Sequence, residues 1–87
     1  MDDKAFKCEL ERVKFARKAS DGDRLCWWDG YYLGLNRGHF GDEFECAHDA
    51  LMSISADEPD TAFRAKGAGY REGYEVGCGR KAPSDSL

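Results

Sequence analysis

Apolar residues recur along this chain at two spacings, and the two compete in its opening stretch. In "DKAFKCELERVKFARK" (3–18), Phe6, Leu10 and Val13 fall on one helical face, with Ala16 at its border. As strands, Phe6, Cys8 and Leu10 alternate, and Val13 and Phe15 alternate after a slip. "SDGD" (20–23) would then supply the Asp-Gly turn of a β-hairpin. The helix leaves Cys8 and Phe15 off the apolar face, and the hairpin accommodates both. The helix propensity of Glu and Lys tips the choice to a helix, with the hairpin as the alternative.

"SDGD" also reads as a helix start, with Ser20 or Asp23 capping and Ser20-x-x-Asp23 resembling a capping box. A helix is expected over 23–37, ending at Gly38 as its C′ residue. Asp42-x-x-Glu45 repeats the capping pattern, and Phe44, Ala47, His48 and Leu51 follow at helical spacing, which predicts a helix over 43–55. "SADEPD" breaks it. Pro59 fits the first position of a last helix over 59–77, with Asp57, Glu58 and Asp60 at its positive end. The pattern predicts one helical domain over 1–79 and a polar, fraying tail over 80–87.

Glycines add a second regularity. "GYYLGLNRG" (30–38) and "GYREGYEVG" (69–77) carry Gly30, Gly34, Gly38 and Gly69, Gly73, Gly77, all offset by 39, as are Tyr31 and Tyr70. Each internal helical glycine costs about 0.5–1 kcal/mol relative to alanine, so the stripes need compensation. Spacing of four aligns each set along one side of a helix and permits close backbone approach. The expected fold class is therefore all-α: a small bundle of three to four helices with a close glycine-lined pair. Trp27, Trp28, Tyr31, Tyr32, Tyr70 and Tyr74 would surround the crossing.

Composition narrows the function class. At 87 residues the chain allows one small domain, and 41 % hydrophobic residues suffice for a core. A net charge of −4 disfavours a protein whose main task is holding phosphates. The N-terminus shows no basic and apolar leader, and no apolar run approaches membrane-spanning length. We therefore expect a cytoplasmic protein with four reduced cysteines, Cys8, Cys26, Cys46 and Cys78.

"AKGAGYREGYEVG" (65–77) resembles the A-x-x-x-G-Y-x-x-G pattern of ribosome modulation factor, and "WDGYYLG" (28–34) resembles that family's W-x-G-aromatic-aromatic element. The two stretches cover under a quarter of the chain, in reversed order. The resemblance implies a helix pair and association with ribosomal RNA. The general pattern also resembles small phage-encoded proteins, whose anti-defence members, anti-CRISPR proteins among them, are often acidic single domains.

Candidate chemistry is sparse. Cys26, His39, Cys46, His48 and Cys78 are metal-ligand types without a Cys-x-x-Cys pair, so no zinc and no other cofactor is expected. Cys46 beside a histidine lacks the groove and orienting residue of a thiolate nucleophile, and no enzymatic activity is expected. Asp42, Glu43, Glu45 and Asp49 cluster at a predicted helix start. Trp27 and Trp28 lie about 100° apart on a helix, so one of them is a candidate interface anchor. Arg24 and Arg37 near aromatics could stack bases, though core packing explains those aromatics equally well.

These features point to an acidic protein–protein interaction module, in concrete form a phage-type inhibitor such as an anti-CRISPR or other anti-defence protein. It would occlude the basic surface of a nucleic-acid-binding partner through Trp27, Trp28, Asp42, Glu43, Glu45 and Asp49. The alternative is a ribosome- or RNA-associated factor working through Arg12, Lys14, Arg17 and Lys18. A homodimer is left open, a membrane partner is not expected, and the charge makes nucleic acid the weaker partner class.

Overall fold

Asp2 opens the first helix by accepting a hydrogen bond from the Ala5 amide at 2.7 Å. In the computed structural model, which describes residues 1–41 and 51–83, three helices follow in order: α1 (Asp3–Ala19), α2 (Gly22–Phe40) and α3 (Thr61–Gly77). No strand occurs among the described residues. The β-hairpin considered for the N-terminal segment is thus replaced by one uninterrupted helix. Its physical reason is that Phe6 and Val13 are buried against α2, while Cys8 and Phe15 simply stay in solvent, Phe15 at 76 % exposure.

Three boundaries differ from the sequence pattern. Helix α2 starts at Gly22, which takes a positive φ of 58°, and Asp21 rather than Ser20 or Asp23 holds the cap position. It then runs through Gly38 and stops at Gly41, where φ is 64°. Gly38 is used for packing instead: a Cβ there would lie 2.8 Å from the Cys78 amide nitrogen. Helix α3 starts at Thr61 rather than at Pro59, because the Asp60 carboxylate accepts from the Ala62 and Phe63 amides at 3.1 and 3.3 Å.

Of the helix expected over 43–55, residues 42–50 lie outside the described residues. Residues 51–53 form a single 3₁₀ turn, and no helix continues to Ser55. Ile54 is instead buried on α3, where a Cβ at Gly67 would come within 2.7 Å of its own Cβ. Arg71 fixes the same stretch by donating to the Ile54 carbonyl at 2.7 Å and to the Met52 carbonyl at 3.3 Å.

Helices α2 and α3 run parallel and in backbone contact. A Cβ at Gly30 would meet Lys66 carbonyl and Tyr70 amide atoms, the latter at 3.0 Å; at Gly69 it would meet Trp27 and Tyr31, again 3.0 Å from the amide. Gly34 faces Tyr70 and Tyr74, and Gly73 faces Tyr31 and Leu35, each with an amide nitrogen 2.8 Å away. Gly38 and Gly77 repeat the arrangement one turn on, against Tyr74 and Cys78 and against Leu35 and His39. Moving the α2 member of a contact 39 residues forward and the α3 member 39 residues back produces its counterpart. The pair therefore has a local pseudo-twofold axis along the helices, the reciprocity of an isologous interface within one chain. The cap residues Asp21 and Asp60 obey the same offset.

Helix α1 folds back on α2 after the two-residue link Ser20–Asp21. Phe6, Val13, Trp28, Tyr31, Leu35 and Val76 form the core cluster, bordered by Met1, Leu10, Ala16, Trp27 and Tyr32.

Candidate functional site

The innermost polar group of the bundle is a carboxylate. Glu9 follows Phe6 by three residues and precedes Val13 by four, so helical geometry puts it on the buried face, at 4 % exposure. Arg12 grips it from one turn on, Nε to Oε1 at 2.7 Å and Nη2 to Oε2 at 2.8 Å. The Tyr31 hydroxyl donates to the same Oε2. Burial and then the Glu9 carboxylate push the Tyr31 phenol well above its ordinary range, and the hydrogen bond to Glu9 holds the Arg12 guanidinium above its own. Trp28 closes the group, with the Arg12 guanidinium 5.4 Å from its ring centroid. A carboxylate with three donors joins α1 to α2; it is an internal clamp. Sequence reasoning missed Glu9; the signal that could have found it is a Glu inside the Phe6–Val13 stripe with an Arg three residues later.

The two tryptophans separate. Trp28 is 3 % exposed and belongs to the core. Trp27 is half-buried, stacked on Tyr31 at 5.1 Å and edge-on to Trp28 at 5.0 Å. Of the two, only Trp27 offers a face to a partner. Asp42, Glu43, Glu45 and Asp49 lie outside the described residues, as do Cys46 and His48.

His39 stacks on Phe6 with centroids 3.9 Å apart, and its Nε2 lies 3.2 Å from Asp3 Oδ1, which pins the start of α1 to the end of α2. Cys8 is exposed, Cys26 and Cys78 are half-buried, and all three are free thiols. No group of three His, Cys, Asp or Glu side chains that could hold a metal occurs among the described residues. No helix among them is long and apolar enough to cross a membrane.

The basic stripe of α1 is largely paired. Arg12 is held by Glu9, Lys14 Nζ lies 3.3 Å from Glu11, and Arg17 Nε lies 2.8 Å from Asp29 Oδ1. That Asp29 oxygen is buried and accepts no aligned hydrogen bond, so the Arg17 contact is a charge contact. Arg17 also caps the Tyr32 ring at 5.1 Å.

Comparison with protein-family models, with curated proteins and with solved structures finds no match to this chain.

Proposed function

We propose that this chain is a protein-binding module whose acidic connection engages a basic protein surface. One observation carries the proposal: residues 41–60 contain seven carboxylates, Asp42, Glu43, Glu45, Asp49, Asp57, Glu58 and Asp60, and no Lys or Arg. The remaining residues hold 13 bases against 10 acids, so this one segment, at −7, makes the whole chain acidic at −4. Topology gives the segment its reach. Parallel helices force the chain leaving Gly41 to return to Thr61 over the length of α2, roughly 28 Å at 1.5 Å per residue. The glycine-lined pair supplies a rigid support, and Ile54 with Arg71 ties one stretch of the connection to it.

In its concrete form the module is a phage-type inhibitor, an anti-CRISPR or other anti-defence protein, that occludes a surface meant for nucleic acid. Charge sign supports that form, since a row of carboxylates competes with phosphates for the same Lys and Arg. The RNA-associated alternative is disfavoured by the pairing of Arg12, Lys14 and Arg17 with Glu9, Glu11 and Asp29.

The test is capture from host lysate with and without nuclease, using the intact chain and two variants. A partner held after nuclease, lost when Asp42, Glu43, Glu45 and Asp49 are all changed to Lys, supports the proposal. Capture that nuclease abolishes, or that fails only when Lys14 and Lys18 are reversed to Glu, would hand the function to the RNA reading.

A further inference from the structure

The 39-residue offset reaches beyond the glycine-lined pair and marks a place where one half of the chain lacks a side-chain pair. Phe15 and Trp28 line one depression where α1 meets α2, and their counterparts Ile54 and Gly67 meet on α3. In the first half, Arg17 Nε lies 2.8 Å from the Asp29 carboxylate, and its guanidinium caps the Tyr32 ring. Arg17 also lines a depression with Leu25. Thirty-nine residues on from Arg17, Leu25, Asp29 and Tyr32 stand Ala56, Arg64, Ala68 and Arg71. All four line a single depression of about 370 Å³. Two alanines thus vacate the space of the Arg17–Asp29 pair, and two arginines stand around it.

Arg64, Ala68 and Arg71 follow at i, i+4 and i+7, so Ala68 lies between the two arginines on one face of α3. Arg64 donates through Nη1 to the Glu58 carbonyl at 3.4 Å, and Arg71 donates through Nη1 to the Ile54 and Met52 carbonyls. A carbonyl does not neutralise a guanidinium, and neither arginine forms an ion pair with a described carboxylate.

We propose that this depression binds a small zwitterion, a ligand that carries a carboxylate or phosphate together with an ammonium group. Its oxyanion takes the place over Ala68 that the Asp29 carboxylate holds in the first half, gripped by Arg64 and Arg71. Asp23 is the one carboxylate among the described lining residues, and it selects the ammonium from the α2 side. Two acids at the start of α3 are already engaged: Asp60 accepts from the Ala62 and Phe63 amides, and Glu58 from the Asp60 amide. The volume is at the lower end for a small-molecule site and suits a ligand of amino-acid size. The proposal is independent of the protein partner of the acidic connection.

Four probes titrated into the full chain and followed by NMR test it: O-phosphoethanolamine, β-alanine, inorganic phosphate and ethanolamine. At least one of the two zwitterions should bind saturably below about 1 mM and shift the amides of residues 61–71, and the tighter of the two assigns the oxyanion. Phosphate and ethanolamine alone should bind at least about tenfold more weakly. Arg64→Gln should weaken the zwitterion about tenfold. Ala68→Asp supplies the carboxylate from the chain itself, as Asp29 does in the first half, and should abolish binding without lowering the melting temperature. Asp23→Asn should weaken the zwitterion and leave inorganic phosphate unaffected. No saturable binding of either zwitterion, or binding indifferent to Arg64→Gln and Ala68→Asp, overturns the proposal. Inorganic phosphate binding as tightly as the zwitterions would also overturn it, since Asp23 would then select nothing.

Discussion

Glu9 shows how one residue can tie sequence to fold. A buried carboxylate survives only if donors replace its water, and here Arg12 and Tyr31 do so from two different helices. Removing it leaves the Tyr31 hydroxyl without its acceptor in the core. Glu9→Ala should therefore cost about 2–4 kcal/mol, read by urea unfolding, and a loss under 1 kcal/mol would contradict the clamp. Tyr31→Phe leaves both Arg12 contacts and should cost about 1 kcal/mol near neutrality. The pH dependence has a definite sign. The phenol of folded Tyr31 lies above its ordinary value of 10.0, so above pH 10 the unfolded chain has lost a proton that the folded chain retains. Stability contributed by the neutral phenol is complete below pH 10 and falls as pH rises past it. The wild type should lose stability faster than Tyr31→Phe between pH 9.5 and about 11, and the two unfolding curves should converge. Parallel curves would show that Tyr31 titrates as it does in the unfolded chain.

At the scale of elements, the glycines make a quantitative demand. Cβ atoms at Gly34 and Gly73 would each strike main-chain atoms of the facing helix, related by the same 39-residue offset. Backbone cannot yield as a side-chain tip can, so alanine at either site should push the helices apart at about 1–3 kcal/mol. The pseudo-twofold adds that the two losses should match within a few tenths of a kcal/mol. At Gly67 the three nearest atoms all belong to the side chain of Ile54, none closer than 2.7 Å, whereas Gly34 and Gly73 meet main chain more closely, so Gly67→Ala should cost less. Thermal melts of the three variants decide it; equal losses at all three sites would remove the distinction between backbone and side-chain contact. The glycine and tyrosine spacing made the α2 and α3 segments readable in the sequence, because a recurring i, i+4 set of glycines has few other uses. Of their ends, the stop of α3 at Gly77 was readable and the other boundaries were not. Gly38 looked like a helix stop because glycine favours that role, but its partner at Cys78 is set by tertiary contact that no local pattern records. Pro59 looked like a first helical residue for a similar local reason, while the bonds from Ala62 and Phe63 to Asp60 set the actual start. Glu9 was hidden by its type: a charged residue in an amphipathic helix is assigned to solvent unless its position in the stripe is weighed first.

For the whole molecule, the decisive feature is the separation of charge between the connection and the helices. Several charges of the helices are paired, as at Arg12–Glu9 and Arg17–Asp29, and Glu72 of α3 pairs with Lys81 beyond it. Residues 41–60 hold seven carboxylates without an opposing cation in the segment. Such a field acts mainly on encounter. Exposed charges are screened beyond about 10 Å at 0.1 M salt, so association with a basic partner should slow steeply as salt rises, while dissociation changes little. Reversing Asp42, Glu43, Glu45 and Asp49 to Lys turns the segment's charge from −7 to +1 and should cut the association rate by about tenfold or more at low salt. Trp27→Ala should act on the other rate: a half-buried ring stacked on Tyr31 offers contact area, so its loss should speed dissociation and leave the salt dependence intact. Surface plasmon resonance across a salt series, with the partner recovered by nuclease-resistant capture, separates these effects. If the quadruple reversal left the association rate and its salt slope as they are in the wild type, the carboxylates of the connection would serve solubility alone, and the partner would have to be sought on another face.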